Sequence, residues 1–258
     1  MNVHIIGGGN LGAAIALGFS AYAKGINVTV TRRNTGLIKN LEQKGIRISS
    51  DNTFDIASAD LIILTVKPYQ AESVIREILP HIAGKTVASA ISGMTLEMLQ
   101  SLTGAEQPLV RIMPNIAAQF GASATCIAFD EKYATQAQDV IMLFKTVGTA
   151  PVIDEKLMDA ATVLGACGTA YALRYIRASM QAGIEIGFDS QTALAIASQT
   201  VKGAAQMLLE ENVHPEQLID RVTTPQGCTI VGLNEMEHEG FSSSLIKGIK
   251  TSLQKIKG

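Results

Sequence analysis

The chain has 258 residues, which is enough for one large or two modest domains with a sizeable core. Apolar residues make up 47% and charged residues 17%, and the formal net charge is −2, a balance that excludes an electrostatic bias toward nucleic acid or anionic membrane. Trp is absent and aromatic residues are 5% of the chain, which argues against a base-stacking platform.

No stretch reaches the roughly 18 uninterrupted apolar residues of a membrane span. No Lys or Arg precedes Lys24, so the apolar N-terminal run lacks the basic region of a secretory signal, and a cytoplasmic location is expected. Cys126, Cys167 and Cys228 are far apart with no C-x-x-C pair, as for reduced thiols. His4, His81, His214 and His238 are scattered, and no metal site is expected.

Val3–Ile6 reads as a buried strand, Gly7, Gly9 and Gly12 form a G-x-G-x-x-G turn, and Leu11–Phe19 continues as a helix. In such a turn Gly7 takes angles closed to other residues, Gly9 lets a pyrophosphate approach the main chain, and Gly12 allows helix and strand to pack closely. Asn10 and Leu11 then lie where the helix directs its unpaired N–H groups at phosphate. The alternative is a plain turn.

After Gly25, Ile26–Thr31 reads as a second strand, and its end carries Arg32 and Arg33 in place of the Asp or Glu that would take a ribose 2′-hydroxyl. Two guanidinium groups there suit a 2′-phosphate, so NADP(H) is expected ahead of NAD(H). The competing reading is two solvated arginines on a surface loop.

Thr35–Lys44 reads as a short helix stopped by Gly45, and Ile46–Ile48 as a brief extended piece. Leu61–Val66 is apolar throughout, as a parallel strand covered on both faces requires, and Lys67-Pro68 stops it. A helix over Ala71–Ile82, a strand at Thr86–Ala90 and a Ser92-Gly93 turn follow. Pro108–Ile112 reads as another strand, with Ser123–Phe129 and Gly148–Ile153 pairing at the sheet's far edge. The alternation predicts an α/β fold: an N-terminal Rossmann-type doubly wound sheet over residues 1–153, with ligand at the carboxyl ends of its strands.

Residues 154–258 then read as an all-α domain, with helices over Glu155–Ala166, Ala170–Ile186, Ser190–Glu211, Pro215–Val222, Thr229–Glu239 and Ser242–Ile256. So many apolar faces in about 100 residues of helix suit completion by a second subunit, and a homodimer or higher homo-oligomer is expected. Tyr171 and Tyr175 share one helical face and read as packing residues. Lys247, Lys250, Lys255 and Lys257 read as a solvated face.

No G-x-S-x-G elbow, P-loop or H-E-x-x-H motif is present. The informative stretch is Asp220–Leu233, where Pro225 and Gly227 force a tight loop and Cys228 or Thr229 opens a helix. Unpaired N–H groups there suit a small carboxylate, and Thr229 adds a hydroxyl. The competing reading makes Thr224 an ordinary N-cap and the loop a simple turn.

This stretch resembles the signature of the pyrroline-5-carboxylate reductases, which read near V-T-S-P-G-G-T-T-I-A-G-L. The similarity continues through Ile6–Gly12, Val66–Pro68, Arg111–Asn115, Gly168–Tyr171, Gly183–Gly187, Gln199–Leu209 and His214-Pro215 in the family's order and spacing. The resemblance implies hydride transfer from NAD(P)H to the C=N carbon of 1-pyrroline-5-carboxylate, giving L-proline. It also implies that Thr224, Gly227, Cys228 and Thr229 hold the substrate carboxylate through main-chain N–H groups, with Thr229 bonding the ring nitrogen as the catalytic residue. Asn52 would lie near the adenosine ribose, and Val66, Lys67 and Pro68 would line the dinucleotide.

The chain departs from the family pattern at Thr169, where Pro is usual, at Gln226, where Gly is usual, and at Ile116-Ala117, where Thr-Pro is usual. Gln226 is the most consequential, because a glycine reaches backbone angles that strain a glutamine. Two other readings therefore stay open: reduction of another cyclic imine or small keto acid, and a non-catalytic NADP-binding relative.

Overall fold

The computed structural model describes residues 1–257, which divide into two compact units, Met1–Cys167 with Ile256 and Lys257, and Gly168–Lys255. In the first unit the parallel strands are β1 (Asn2–Ile6), β2 (Asn27–Thr31), β3 (Arg47–Ser49), β4 (Leu61–Leu64), β5 (Thr86–Ser89) and β6 (Leu109–Met113). Beyond them come β7 (Ser123–Ala124), β8 (Cys126–Phe129) and β9 (Gly148–Thr149). The seven-stranded sheet runs β3-β2-β1-β4-β5-β6-β8, with β8 antiparallel to β6. This is the doubly wound order, with its switch point at β1 and β4, where the connections diverge and leave a crevice at the carboxyl ends.

The composition of β4 shows why the sheet is sandwiched. Leu61 and Ile63 join one buried cluster and Ile62 and Leu64 the other, and all four are fully buried, so no position can be polar. The helices α1 (Asn10–Tyr22), α2 (Ala71–Ile78), α3 (Leu96–Thr103) and α4 (Ala134–Lys145) cover the two faces. Ile15 and Phe19 of α1 share a core with Val140 and Phe144 of α4, and the Phe19 and Phe144 rings meet edge-to-face with centroids 5.2 Å apart. Ile75 and Ile78 of α2 and Leu99 of α3 fill the opposite core.

Several elements differ from the sequence expectation. The expected helix Thr35–Lys44 is a 3-10 helix. The helix expected to run to Ile82 stops at Ile78, because Pro80 supplies no N–H, and a 3-10 turn Leu79–His81 follows. The expected single strand Ser123–Phe129 is broken at Thr125: β7 pairs with β9 in a separate two-stranded sheet while β8 turns to β6. Gly148 permits the first pairing, since a Cβ there would stand 2.0 Å from the Ser123 carbonyl oxygen.

The first unit continues beyond residue 153. The Glu155 carboxylate pairs with the Arg111 guanidinium at 3.0 Å, in a site where Arg111 is 4% exposed. Helix α5 (Met158–Ala161) packs through Met158 and Ala161 on Met113 and Ala128, and a π-helical segment, Thr162–Cys167, leads to the division between the units.

The second unit comprises α6 (Gly168–Glu185), α7 (Ser190–Glu211), α8 (Pro215–Arg221), α9 (Cys228–His238) and α10 (Phe241–Lys257). Gly183 brings α6 against α7, where a Cβ would lie 2.9 Å from that of Ala193. Tyr171 and Tyr175 do pack: the Tyr171 hydroxyl lies 2.7 Å from that of Ser252, and the Tyr175 ring meets Phe241. Little else is enclosed. No residue of α6 or α9 is buried, and Ile186, Leu209 and Val231 stand largely exposed.

Candidate functional site

A cleft of about 600 Å³ opens at the carboxyl ends of β1, β2 and β4. It gathers Gly7, Gly9, Arg32, Arg33, Asn52, Val66 and Lys67 from segments distant in sequence. The turn that forms its floor is held by the chain around it. The N–H groups of Gly7 and Gly8 donate to the Thr31 carbonyl at 3.1 and 2.8 Å, and the Thr65 hydroxyl donates to the Gly7 carbonyl at 2.7 Å.

The glycines divide by what surrounds them. Gly7 has φ +108°, and a Cβ on Gly12 would stand 2.3 Å from the Gly7 oxygen, so α1 starts in contact with the turn. Above Gly9 nothing lies within 4 Å of the Cβ position. That is open space where a phosphate group can reach the main chain, and no side chain caps the N-terminus of α1 and no acidic residue lies in its first turn. The N–H groups of Asn10, Leu11 and Gly12 have no partner within the helix. Asn10, Leu11, Gly12 and Pro68 do not line the cleft, and the Leu11 side chain packs on the core instead.

The two arginines are unlike each other. Arg32 is half-buried and donates through Nη1 to the Gly8 carbonyl at 2.6 Å, tying the end of β2 to the glycine turn. Arg33 is exposed and has no carboxylate partner among the described residues. A 2′-phosphate at this position would meet one anchored and one free guanidinium.

Sequence reading missed the cleft's remaining wall, formed by Gln70, Ser73, Val74 and Glu77 on and just before α2. Their spacing of i, i+3, i+4 and i+7 marks one helical face, which was the available signal. Asn52 faces this wall and donates from Nδ2 to Glu77 Oε2 at 2.8 Å.

The loop before α9 lies in the second unit. Its turn is closed by the Gly227 N–H donating to the Thr224 carbonyl at 2.9 Å, with Pro225 second and Gln226 third at φ +58°, the pattern of a type II turn that ordinarily requires glycine at that position. A Cβ on Gly227 would stand 2.5 Å from Thr224 Oγ1. The helix begins at Cys228 with Gly227 as N-cap and no side-chain cap, so Thr224 is not the capping residue of the simpler reading. The first N–H groups of α9 are left without partners inside the helix, and Thr224, Cys228 and Thr229 are exposed.

A doubly wound sheet with this glycine turn, carried on one chain with an all-helical unit, defines the class: a dinucleotide-binding protein of the Rossmann type. Comparison with known proteins narrows it. Residues 155–258 match the model described as pyrroline-5-carboxylate reductase dimerisation, and residues 2–93 that described as NADP oxidoreductase coenzyme F420-dependent. Pyrroline-5-carboxylate reductase 2 of Dictyostelium discoideum is 39% identical over 98% of this chain and 91% of its own. Pyrroline-5-carboxylate reductase 1 of the same organism is 40% identical over 98% of this chain, which spans 49% of that protein's length. The crystal structure of Plasmodium falciparum pyrroline carboxylate reductase with NADP bound superposes with a TM-score of 0.89 at 26% identity, covering 100% of this chain and 97% of that one. The chain belongs to the pyrroline-5-carboxylate reductase family.

Proposed function

We infer that this protein reduces 1-pyrroline-5-carboxylate to L-proline, the last step of proline biosynthesis, with NADPH preferred over NADH. The observation that carries the reading is the 39% identity to a reductase of that name over 91% of its length. The cofactor preference rests on Arg32 and Arg33 lining the dinucleotide cleft at the end of β2.

In this reading the first unit binds the dinucleotide. Gly7, Gly9 and the N–H groups of Asn10, Leu11 and Gly12 receive the pyrophosphate, Arg32 and Arg33 the 2′-phosphate, and Asn52 the adenosine ribose. Val66, Lys67 and Pro68 border the chain of the cofactor. Bound there, the cofactor supplies a hydride. The N–H groups of Cys228 and Thr229, with Thr224 and Gly227 shaping the loop, hold the substrate carboxylate. The Thr229 hydroxyl bonds the ring nitrogen and orients the C=N bond. The reacting species is the iminium form of the substrate, already electrophilic and already carrying the proton on nitrogen, so hydride transfer gives the amine directly and no strong acid or base is required.

The oligomer is a homodimer formed by the second unit, an assignment supported by the dimerisation model over residues 155–258 and by the exposed Ile186, Leu209 and Val231. The three free cysteines support a cytoplasmic location.

The test is NADPH oxidation dependent on added pyrroline-5-carboxylate, with proline measured as product, for the wild type and Thr229→Ala. Wild-type turnover is expected, with kcat/KM lowered in the variant and NADPH affinity retained. Tight NADPH binding without proline formation would contradict the reading and favour a different imine or a non-catalytic role. Wild-type rates in Thr229→Ala would remove that residue from the mechanism.

A further inference from the structure

We propose that Glu77 is a binding residue of the dinucleotide cleft, whose carboxylate holds the Asn52 carboxamide through one oxygen and accepts from a sugar hydroxyl through the other, so that the pair presents one N–H and one free carboxylate oxygen to that hydroxyl. This rests on the dinucleotide reading above. Asn52 is held from three sides. Its main-chain carbonyl accepts from His4 Nε2 at 3.1 Å, its Oδ1 accepts from the Thr31 hydroxyl at 2.7 Å, and its Nδ2 donates to Glu77 Oε2 at 2.8 Å.

Thr31 is fully buried, so its bond to Oδ1 sets which way the carboxamide faces. The reversed amide would put Oδ1 against the Glu77 carboxylate, acceptor against acceptor. One of the two Nδ2 hydrogens is spent on Glu77 and the other remains, while Glu77 Oε1 has no hydrogen-bond partner among the described residues. Both side chains line the cleft. A donor beside an acceptor matches a hydroxyl, which accepts from one and donates to the other. Phosphate offers no such donor when ionised. Glu77 is also the one carboxylate among the described residues lining a cleft that carries Arg32, Arg33 and Lys67, so its place is beside an uncharged part of the cofactor.

The experiment measures NADPH and NADH binding by fluorescence titration, together with steady-state kinetics, on the full-length protein. The set is wild type, Glu77→Ala, Glu77→Gln, Asn52→Ala and the Glu77→Ala/Asn52→Ala double variant. Glu77→Ala is expected to weaken both dinucleotides about 5–20-fold, as for loss of one charge-assisted hydrogen bond, with the loss falling on KM and not kcat. Glu77→Gln should restore only part of the affinity, because its side-chain oxygen still accepts from Asn52 while an NH2 replaces the acceptor offered to the hydroxyl. In the Asn52→Ala background, Glu77→Ala should cost clearly less than it does in the wild type, because the carboxamide it also holds is gone and only its own hydrogen bond is left to lose. Wild-type affinity in Glu77→Ala, or the full loss persisting without Asn52, would overturn the proposal. A wild-type protein that binds neither dinucleotide would overturn the cofactor reading itself.

Discussion

Gln226 occupies a left-handed backbone conformation, φ +58°, at the third position of the turn that leads into α9. For an L-residue with a Cβ this conformation costs roughly 1–2 kcal/mol, and glycine is spared it. Glycine in turn gives up about 0.4–1 kcal/mol through its freer unfolded chain. Gln226 is exposed and its side chain makes no hydrogen bond in the structure, so little else enters the balance. Gln226→Gly is therefore expected to stabilise the protein by about 0.5–1 kcal/mol, or roughly 2–4 °C in Tm for each kcal/mol in a protein of this size. Gln226→Ala keeps the strain and should stay within about 0.5 kcal/mol of wild type. The assay is urea unfolding of the three proteins at one protomer concentration, because subunit association shifts apparent stability. A glycine variant no more stable than the alanine variant would refute the argument that the turn is strained. The same substitution should lower KM for the imine while KM for NADPH holds, if the side chain crowds the carboxylate loop.

Further outcomes follow from the cleft and the core. Gly12→Ala should lower both stability and NADPH affinity, because its Cβ would meet the Gly7 oxygen at 2.3 Å, whereas Gly9→Ala should leave Tm unchanged and weaken NADPH alone, at least tenfold. Thermal melts with and without NADPH separate the two, and equal behaviour would count against the phosphate assignment. Removing both charges in Arg32→Ala/Arg33→Ala should weaken NADPH far more than NADH in paired titrations; equal losses would sink the 2′-phosphate role. His4 is buried in β1, and desolvation pulls its imidazole below the ordinary pKa, against the opposing hydrogen bond to the Asn52 carbonyl. The unfolded chain then takes up a proton first, near pH 6.5, so stability is full above that pH and falls as pH drops toward the lower folded pKa. His4→Gln, which keeps a donor for Asn52, should flatten the fall below about pH 6.5 in urea midpoints; an unchanged slope would assign the effect elsewhere.

Much of this was readable in the residues. The all-apolar Leu61–Leu64 could only be a strand covered on both faces, and Gly7, Gly9 and Gly12 each meet the surroundings their spacing implied. Gln226 was foreseen as the strained position because it stands where the resembling family usually has glycine, and the structure gives it φ +58°. What was not readable came from long-range contacts. Helix α3 was passed over although Leu96, Leu99 and Leu102 repeat at helical spacing after the Thr95 cap, and α4 was not singled out. The division of the far edge into two sheets depends on how closely Gly148 approaches Ser123, which no local pattern records. Nor does local sequence show that Asn52 meets Glu77, 25 residues further on, or that Glu155 follows Arg111 into the first unit.

The most direct test of the central claim is isotopic. NADPH carrying deuterium at both C4 positions is supplied with pyrroline-5-carboxylate, and the proline formed is examined by mass spectrometry and NMR. The account predicts one deuterium per proline, located at C5, the former C=N carbon. Proline without deuterium, or no proline from a protein that binds NADPH, would contradict it.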